Sequence, residues 1–175
     1  GLAPTTSTTA QLALGDALAM TVAKRRNFTR EEYALYHPGG SLGRSLLTVA
    51  ELMTTEASLP PAVKGATTRE ALMRADSLGR RPGALPVVGP RGNLRGLLTD
   101  GDIRRLILRD PGFLDRPIEE VMITQPTTVR PDQLAAEAWN LMRKHGFDEL
   151  PVVDGDGRYL GLLDVQTFLK AGFRD

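Results

Sequence analysis

The sequence predicts an α/β protein built from a tandem β-α-β-β-α repeat behind a helical N-terminal segment. The repeat itself is the first observation. Leu85-Pro86-Val87-Val88 returns as Leu150-Pro151-Val152-Val153, and the same spacing pairs Gly92 with Gly157, Gly96 with Gly161, Leu97 with Leu162 and Leu98 with Leu163. Self-similarity of that kind marks a duplicated supersecondary unit. The second observation is a helix signature ahead of each Leu-Pro-Val-Val strand, and the third is a glycine-rich turn after it.

The elements follow in order. In residues 1–47, Thr8 and Thr9 can cap a helix running to about Arg26 that carries Leu12, Ala13, Ala17, Leu18, Met20 and Val22. Its polar face is small, so it expects burial against a partner. Lys24-Arg25-Arg26 stand at its C-terminal end, where cations suit the helix dipole. Thr29-x-x-Glu32 is a capping box for a second, short helix, and His37-Pro38-Gly39-Gly40-Ser41-Leu42-Gly43-Arg44 reads as a loop and linker.

The first repeat spans 48–110. A β-prone stretch near Leu59–Val63 leads to a helix capped by Thr67-x-x-Glu70, with Ala71, Leu72, Ala75 and Leu78 on its apolar face. Strands at Ala84–Val88 and Leu94–Leu98 flank Gly89-Pro90-Arg91-Gly92-Asn93, and a helix over about Asp100–Arg109 closes the unit. The second repeat spans 111–175 in the same order. It has a strand near Thr127–Val129 and a helix capped by Asp132, carrying Leu134, Ala138, Leu141 and Met142 and stopped by Gly146. Strands at Leu150–Val153 and Tyr159–Leu163 flank the turn Asp154–Gly157, and a helix over Val165–Ala171 ends it. Trp139, Phe147 and Tyr159 read as core or interface rather than as ligand platforms.

Composition narrows the function. Apolar residues make up 41% and charged residues 25%, as in soluble globular proteins. A net charge of +1 supplies no global field for nucleic acid or anionic membrane, and with 5% aromatics no nucleic-acid reading is supported. Without cysteine there is no disulfide or thiolate metal site, and His37 and His145 lack metal-ligand spacing. No apolar run approaches the roughly 18 residues of a membrane span and no signal peptide is visible, so a cytoplasmic location is expected. The chain opens at Gly1 without methionine, which reads as a piece of a longer protein.

The Leu-Pro-Val-Val strands, the Gly-Leu-Leu strands after each glycine turn, and Gly96-Leu97-Leu98-Thr99-Asp100-Gly101-Asp102 resemble the CBS module. The fold expected is therefore a tandem CBS pair, a unit that senses adenine nucleotides in many proteins. Thr99 and nearby backbone N–H groups would stand at a helix N-terminus, where anions are favoured. The resemblance implies Asp102 as acceptor for a ribose diol, with Arg104 and Arg105 within reach of phosphate oxygens. Ala84, Leu85 and Pro86 join the expected ligand contacts. A second reading stands beside this one: Thr99 and Asp102 cap a helix, and the arginines are a solvated face. In the second repeat Asp164 replaces Thr99 and Thr167 replaces Asp102. A threonine cannot chelate a diol as a carboxylate does, so the Asp164/Thr167 half is expected to be weak, empty or adapted to another group.

The Thr-rich helix Thr5–Leu18 together with His37-Pro38-Gly39-Gly40-Ser41-Leu42-Gly43-Arg44 resembles the helical tail of a sugar isomerase (SIS) domain. More narrowly, it is similar to the arabinose 5-phosphate isomerase family, in which that domain runs into two CBS modules. The resemblance implies a parent enzyme interconverting ribulose 5-phosphate and arabinose 5-phosphate for synthesis of the lipopolysaccharide sugar Kdo, without a catalytic cofactor. His37 matches the family's histidine, a group suited to proton transfer near neutrality. The serine-rich phosphate loop and the catalytic lysine and glutamates of that family have no counterpart in these residues, so the chain alone is expected to be inactive. The regulatory ligand is expected to be CMP-Kdo or an adenine nucleotide. A structural alternative is that the pair only assembles the isomerase, as a homodimer within a homotetramer, with Leu106, Ile107, Phe168 and Leu169 as interface residues.

Overall fold

A computed structural model describes residues 4–29, 32–33, 36, 41–77 and 83–174, with the backbone alone for 41 and 42. The chain divides into two units, Gly1–Gly43 and Arg44–Asp175. His37, the stretch through Gly40 and Leu78 lie outside the described residues.

In the first unit, helix α1 covers Thr6–Arg25 and buries none of its residues. Leu12, Leu14, Leu18, Met20 and Val22 are all at least half exposed. The helix begins ahead of the expected caps. Thr8 and Thr9 sit inside it, and their hydroxyls donate back to the carbonyls of Pro4 and Thr5 at 2.7 and 2.9 Å. The Thr29/Glu32 box forms as expected: Glu32 N donates to Thr29 Oγ1 at 3.1 Å, and Thr29 N donates to Glu32 Oε2 at 2.8 Å. Ser41–Leu46, expected as linker, is helical (α2). Ser41 suits a helix start, and one internal glycine costs only about 1 kcal/mol.

The second unit holds α3 (Val49–Leu52), β1 (Thr54–Thr55), β2 (Ala62–Val63), α4 (Thr68–Ser77), β3 (Ala84–Val88), β4 (Leu94–Thr99) and α5 (Asp100–Arg109). It continues with β5 (Ile123–Thr124), α6 (Ala135–His145), β6 (Glu149–Val153), β7 (Tyr159–Asp164) and α7 (Val165–Lys170). Two sheets result, in the orders β2-β3-β4-β5 and β1-β7-β6.

The two hairpins are the same object built twice. Ala84 pairs with Thr99 as Glu149 pairs with Asp164, and each register shifts once, at Val87/Val88 and at Val152/Val153. Gly92 and Gly157 turn the chain at φ 78° and 75°, in the left-handed region open to glycine. The hairpin tips hold each other: Leu94 N donates to Gly157 O at 2.9 Å, and Tyr159 N donates to Gly92 O at 3.0 Å.

The short edge strands, absent from the sequence reading, are exchanged between repeats. β1 precedes the first repeat's helix but pairs antiparallel with β7, while β5 precedes the second repeat's helix but pairs with β4. This crossing explains why Gly96 and Gly161 recur. A Cβ at Gly96 would lie 2.7 Å from Ile123 O, and one at Gly161 would overlap Thr54 O. The cores are exchanged as well. Val49 packs with Trp139, Leu150 and Phe168, whereas Ile118 packs with Leu85, Val87 and Leu98. The boundaries 48–110 and 111–175 thus divide the repeat along the sequence, and the lead-ins of both halves cross over in space.

Three further expectations are corrected. Leu59–Val63 yields only Ala62–Val63, parallel to β3, because Pro60 and Pro61 donate no ladder hydrogen bond. Thr127–Val129 yields a single parallel bridge from Val129 to Val152. Asp132 does not cap α6. Its carboxylate receives Arg130 Nε at 3.1 Å, Arg130 N donates to Gln133 Oε1 at 2.8 Å, and the helix begins at Ala135 after the exposed Leu134. Gly146 does stop that helix, at φ 66°. The Thr67/Glu70 box also forms, with N–H···O distances of 2.9 and 3.2 Å.

Candidate ligand-binding cleft

A cleft of about 920 Å3 lies between the two hairpins. Its apolar floor is Leu59, Leu97 and Leu162, which pack with Ala84 into one cluster joining the repeats. Thr99, Arg104 and Arg105 line it from the first repeat, and Phe147, Glu149, Asp164, Thr167 and Lys170 from the second. The two halves therefore face one space.

Thr99 is the N-cap of α5. Asp102 N donates to Thr99 Oγ1 at 3.1 Å, while Thr99 N and Thr99 Oγ1 donate to Asp102 Oδ2 at 3.0 and 2.6 Å. Arg105 donates to the other oxygen, Asp102 Oδ1. Burial pushes the Asp102 carboxyl up, but the Thr99 hydrogen bonds and the Arg105 guanidinium outweigh it and hold it below its ordinary value. Asp102 itself is buried and does not line the cleft. Both its oxygens are engaged, so a ribose diol reaches it only by displacing these partners. Capping is what this geometry shows for the pair.

The second repeat inverts the pair. Thr167 N donates to Asp164 Oδ1 at 2.7 Å, and Thr167 Oγ1 donates to Asp164 Oδ2 at 3.0 Å. Lys170 takes the place of Arg105, but Thr167 offers it no carboxylate. Lys170 and Arg104 have no ion-pair partner among the described residues, which leaves both free for an anion in the cleft.

Ala84, Leu85 and Pro86 do not open on the cleft. They lie in the middle of the sheet on β3, whose side chains are buried throughout. Phe168 is likewise no surface residue: it is fully buried against Trp139, with ring centroids 5.2 Å apart. Ile107 and Leu169 are exposed, and Leu106 packs on the first core.

Other lining residues escaped the sequence reading. Phe147, expected as core or interface, borders the cleft and stacks on His145 at 5.3 Å. Asp100, Asp148 and Glu149 bring negative charge close to the mouth of the hairpins. The Glu149 carboxyl is half-buried and makes no hydrogen bond or ion pair among the described residues. Burial, then Asp148, Asp100 and Asp164, push it up to about 7. Gln125 lines the same space with φ 56°, an unusual conformation for a residue other than glycine. The repeat alignment could have singled out Glu149, since it stands where the first repeat has Ala84. Among the described residues, no helix is long and apolar enough to cross a membrane, and no cluster of three or more side chains could hold a metal ion.

The family model described as CBS domain matches residues 49–109 and 118–174. The chain belongs to the CBS domain family. The chain is also 42% identical over 172 residues to the arabinose 5-phosphate isomerase KdsD of Pseudomonas aeruginosa, covering 98% of this chain and 52% of that protein. The chain therefore spans about half the length of the curated relatives it matches. Among solved structures it is similar to CBSX2 in complex with AMP, at 25% identity and a TM-score of 0.62, over 71% of this chain and 94% of that one. It is also similar to the cytosolic domain of the Mg2+ channel MgtE in complex with ATP, at 28% identity and a TM-score of 0.59, over 70% and 48%.

Proposed function

We propose that the CBS pair is the sensing part of an arabinose 5-phosphate isomerase and that its cleft binds a nucleotide or nucleotide sugar. The observation that carries this reading is a cleft with an apolar floor, a helix N-terminus at Thr99, and the cations Arg104 and Lys170, which form no ion pair among the described residues. Such a space suits a ligand with a flat heterocycle and a phosphate. Adenine nucleotides are supported by the relatives bound to AMP and ATP. CMP-Kdo is the ligand that the resemblance to the arabinose 5-phosphate isomerase family implies, as an end product suited to feedback. Ligand binding would then be coupled to isomerisation of ribulose 5-phosphate, and that coupling is reciprocal. His37 is assigned proton transfer in the intact enzyme. The isolated 175-residue chain, lacking a substrate clamp, should not turn over arabinose 5-phosphate.

Thermal denaturation with CMP-Kdo, AMP and ATP tests the reading. A ligand at 100 times its Kd adds about 2.7 kcal/mol to the folded state. Arg104→Ala combined with Lys170→Ala should weaken that shift and leave oligomeric state unchanged. If none of the three ligands shifts the transition, the sensing role fails. The structural reading, in which the pair assembles a homodimer within a homotetramer, is favoured by exposed Ile107, Leu108 and Leu169. Light scattering on Ile107→Glu, with ligand binding measured in parallel, separates the two.

A further inference from the structure

Glu149 breaks the symmetry of the repeat on the wall of the cleft. Its counterpart, Ala84, is buried in the sheet, whereas Glu149 lines the cavity. The first repeat makes room for it: a Cβ at Gly83 would overlap Glu149 Oε1, so only glycine at 83 leaves the carboxyl its position. Asp148 flanks it on its own chain, Asp164 pairs with it across the hairpin, and Asp100 stands at the start of α5. Arg104 and Arg105 on α5 and Lys170 on α7 supply the opposing charge around the same space. No hydrogen bond satisfies the carboxyl among the described residues, which leaves its donor and acceptor capacity for a ligand.

Resting on the nucleotide reading above, we propose that Glu149 is the specificity-determining acid of the cleft. In its neutral form it pairs edge to edge with a heterocycle bearing an amino group next to an unprotonated ring nitrogen. A neutral carboxyl offers one O–H donor and one carbonyl acceptor side by side. The amino group of adenine or cytosine donates to that carbonyl oxygen, and N1 of adenine or N3 of cytosine accepts from the O–H. A carboxylate has lost the donor and meets that ring nitrogen with repulsion. Guanine presents N1–H beside both a carbonyl and an amino group, so it can meet the acid in either state. Burial and the three neighbouring aspartates keep the neutral form populated near neutrality.

Calorimetric titration of the 175-residue chain with AMP, CMP and GMP, at about pH 6 and about pH 8, tests this. AMP and CMP should bind about tenfold more tightly at the lower pH, following the protonated fraction of Glu149. GMP carries the same phosphate, so its response corrects for titration of that group, and it should lack the extra fall. Glu149→Gln keeps one donor and one acceptor and should hold AMP and CMP at the low-pH affinity throughout. Glu149→Ala, which copies the first repeat, should lose about tenfold or more and lose the pH dependence. Affinities for AMP and CMP that ignore both pH and Glu149→Ala would overturn the inference alone. Absence of binding by all three nucleotides would overturn the nucleotide reading, and this inference with it.

Discussion

Thr99 Oγ1 donates to Asp102 Oδ2 at 2.6 Å, and in the second repeat Thr167 Oγ1 donates to Asp164 Oδ2 at 3.0 Å. The same bond is made twice with its ends exchanged, and each first turn is also tied by a backbone N–H, of Asp102 to Thr99 Oγ1 and of Thr167 to Asp164 Oδ1. What differs is the leftover charge. Asp102 spends its second oxygen on Arg105, whereas Asp164 has no such partner among the described residues and Lys170 lines the cleft. Exchanging the first pair, Thr99→Asp with Asp102→Thr, should therefore preserve stability to within about 0.5 kcal/mol and free Arg105. Asp102→Ala alone should cost about 1–2 kcal/mol, because it removes half a capping box. Because the Asp102 pKa is depressed, its contribution is full above the ordinary value of 3.8 and fades as the pH falls further. Urea unfolding of both variants at neutral and acidic pH reads these differences.

Glu149 should make stability fall in the opposite direction. Its carboxyl is raised to about 7 in the folded protein, from an ordinary value of 4.5, so the folded state holds a proton that the unfolded state has released. Stability is then greatest below the ordinary value and is lost as the pH rises through about 7. Glu149→Gln should remove that loss and be more stable than the parent at about pH 8, by roughly 1–2 kcal/mol after allowance for solvent screening of a half-buried group. The two proteins should converge near pH 4. Denaturant midpoints across this range check it, and a parent whose stability is flat from pH 5 to 8 would contradict it.

Gly96 and Gly161 test the exchange of edge strands. Each faces a backbone carbonyl of the strand brought in from the other half, Ile123 O and Thr54 O. Gly96→Ala and Gly161→Ala should each destabilise by about 1–3 kcal/mol, the usual range for overpacking. The effect should be local, showing in hydrogen exchange as early loss of protection at Thr124 and Thr55, their paired residues. Full protection at those amides in both variants would mean that the strands adjust without cost.

The hairpins, the closing helices and the repeat were legible because their signals are local: alternating apolar residues, glycine turns, and capping pairs three residues apart. The exchange of β1 and β5 was not. Two-residue strands carry no periodicity, and their partners lie far along the chain. Thr99, Arg104, Arg105, Asp164 and Thr167 line the cleft, whereas Asp102 takes the capping position that its spacing from Thr99 also offers. Its spacing from Thr99 is that of a capping box, and sequence alone does not say which donor a carboxylate takes. Glu149 went unnoticed because its importance is a departure from symmetry, visible only when position 84 is laid over position 149.

Tyr159 carries a buried hydroxyl into the second repeat's core hairpin. It is completely buried where β7 leaves the hairpin turn, and its hydroxyl finds no hydrogen-bond partner among the described residues. Burial, with Glu56 nearby, pushes the phenol far above its ordinary value, so it stays neutral throughout the working pH range. A buried hydroxyl without a partner carries a desolvation cost of about 1–3 kcal/mol that a phenyl ring avoids. The ring supplies the packing, and the backbone N–H to Gly92 O supplies the link between hairpin tips. Tyr159→Phe should therefore keep the fold and raise stability by about 1 kcal/mol, whereas Tyr159→Ala should lose about 3–5 kcal/mol by opening a cavity. A phenylalanine variant clearly less stable than the parent would mean that the hydroxyl is hydrogen-bonded in solution, with an ordered water as the natural partner.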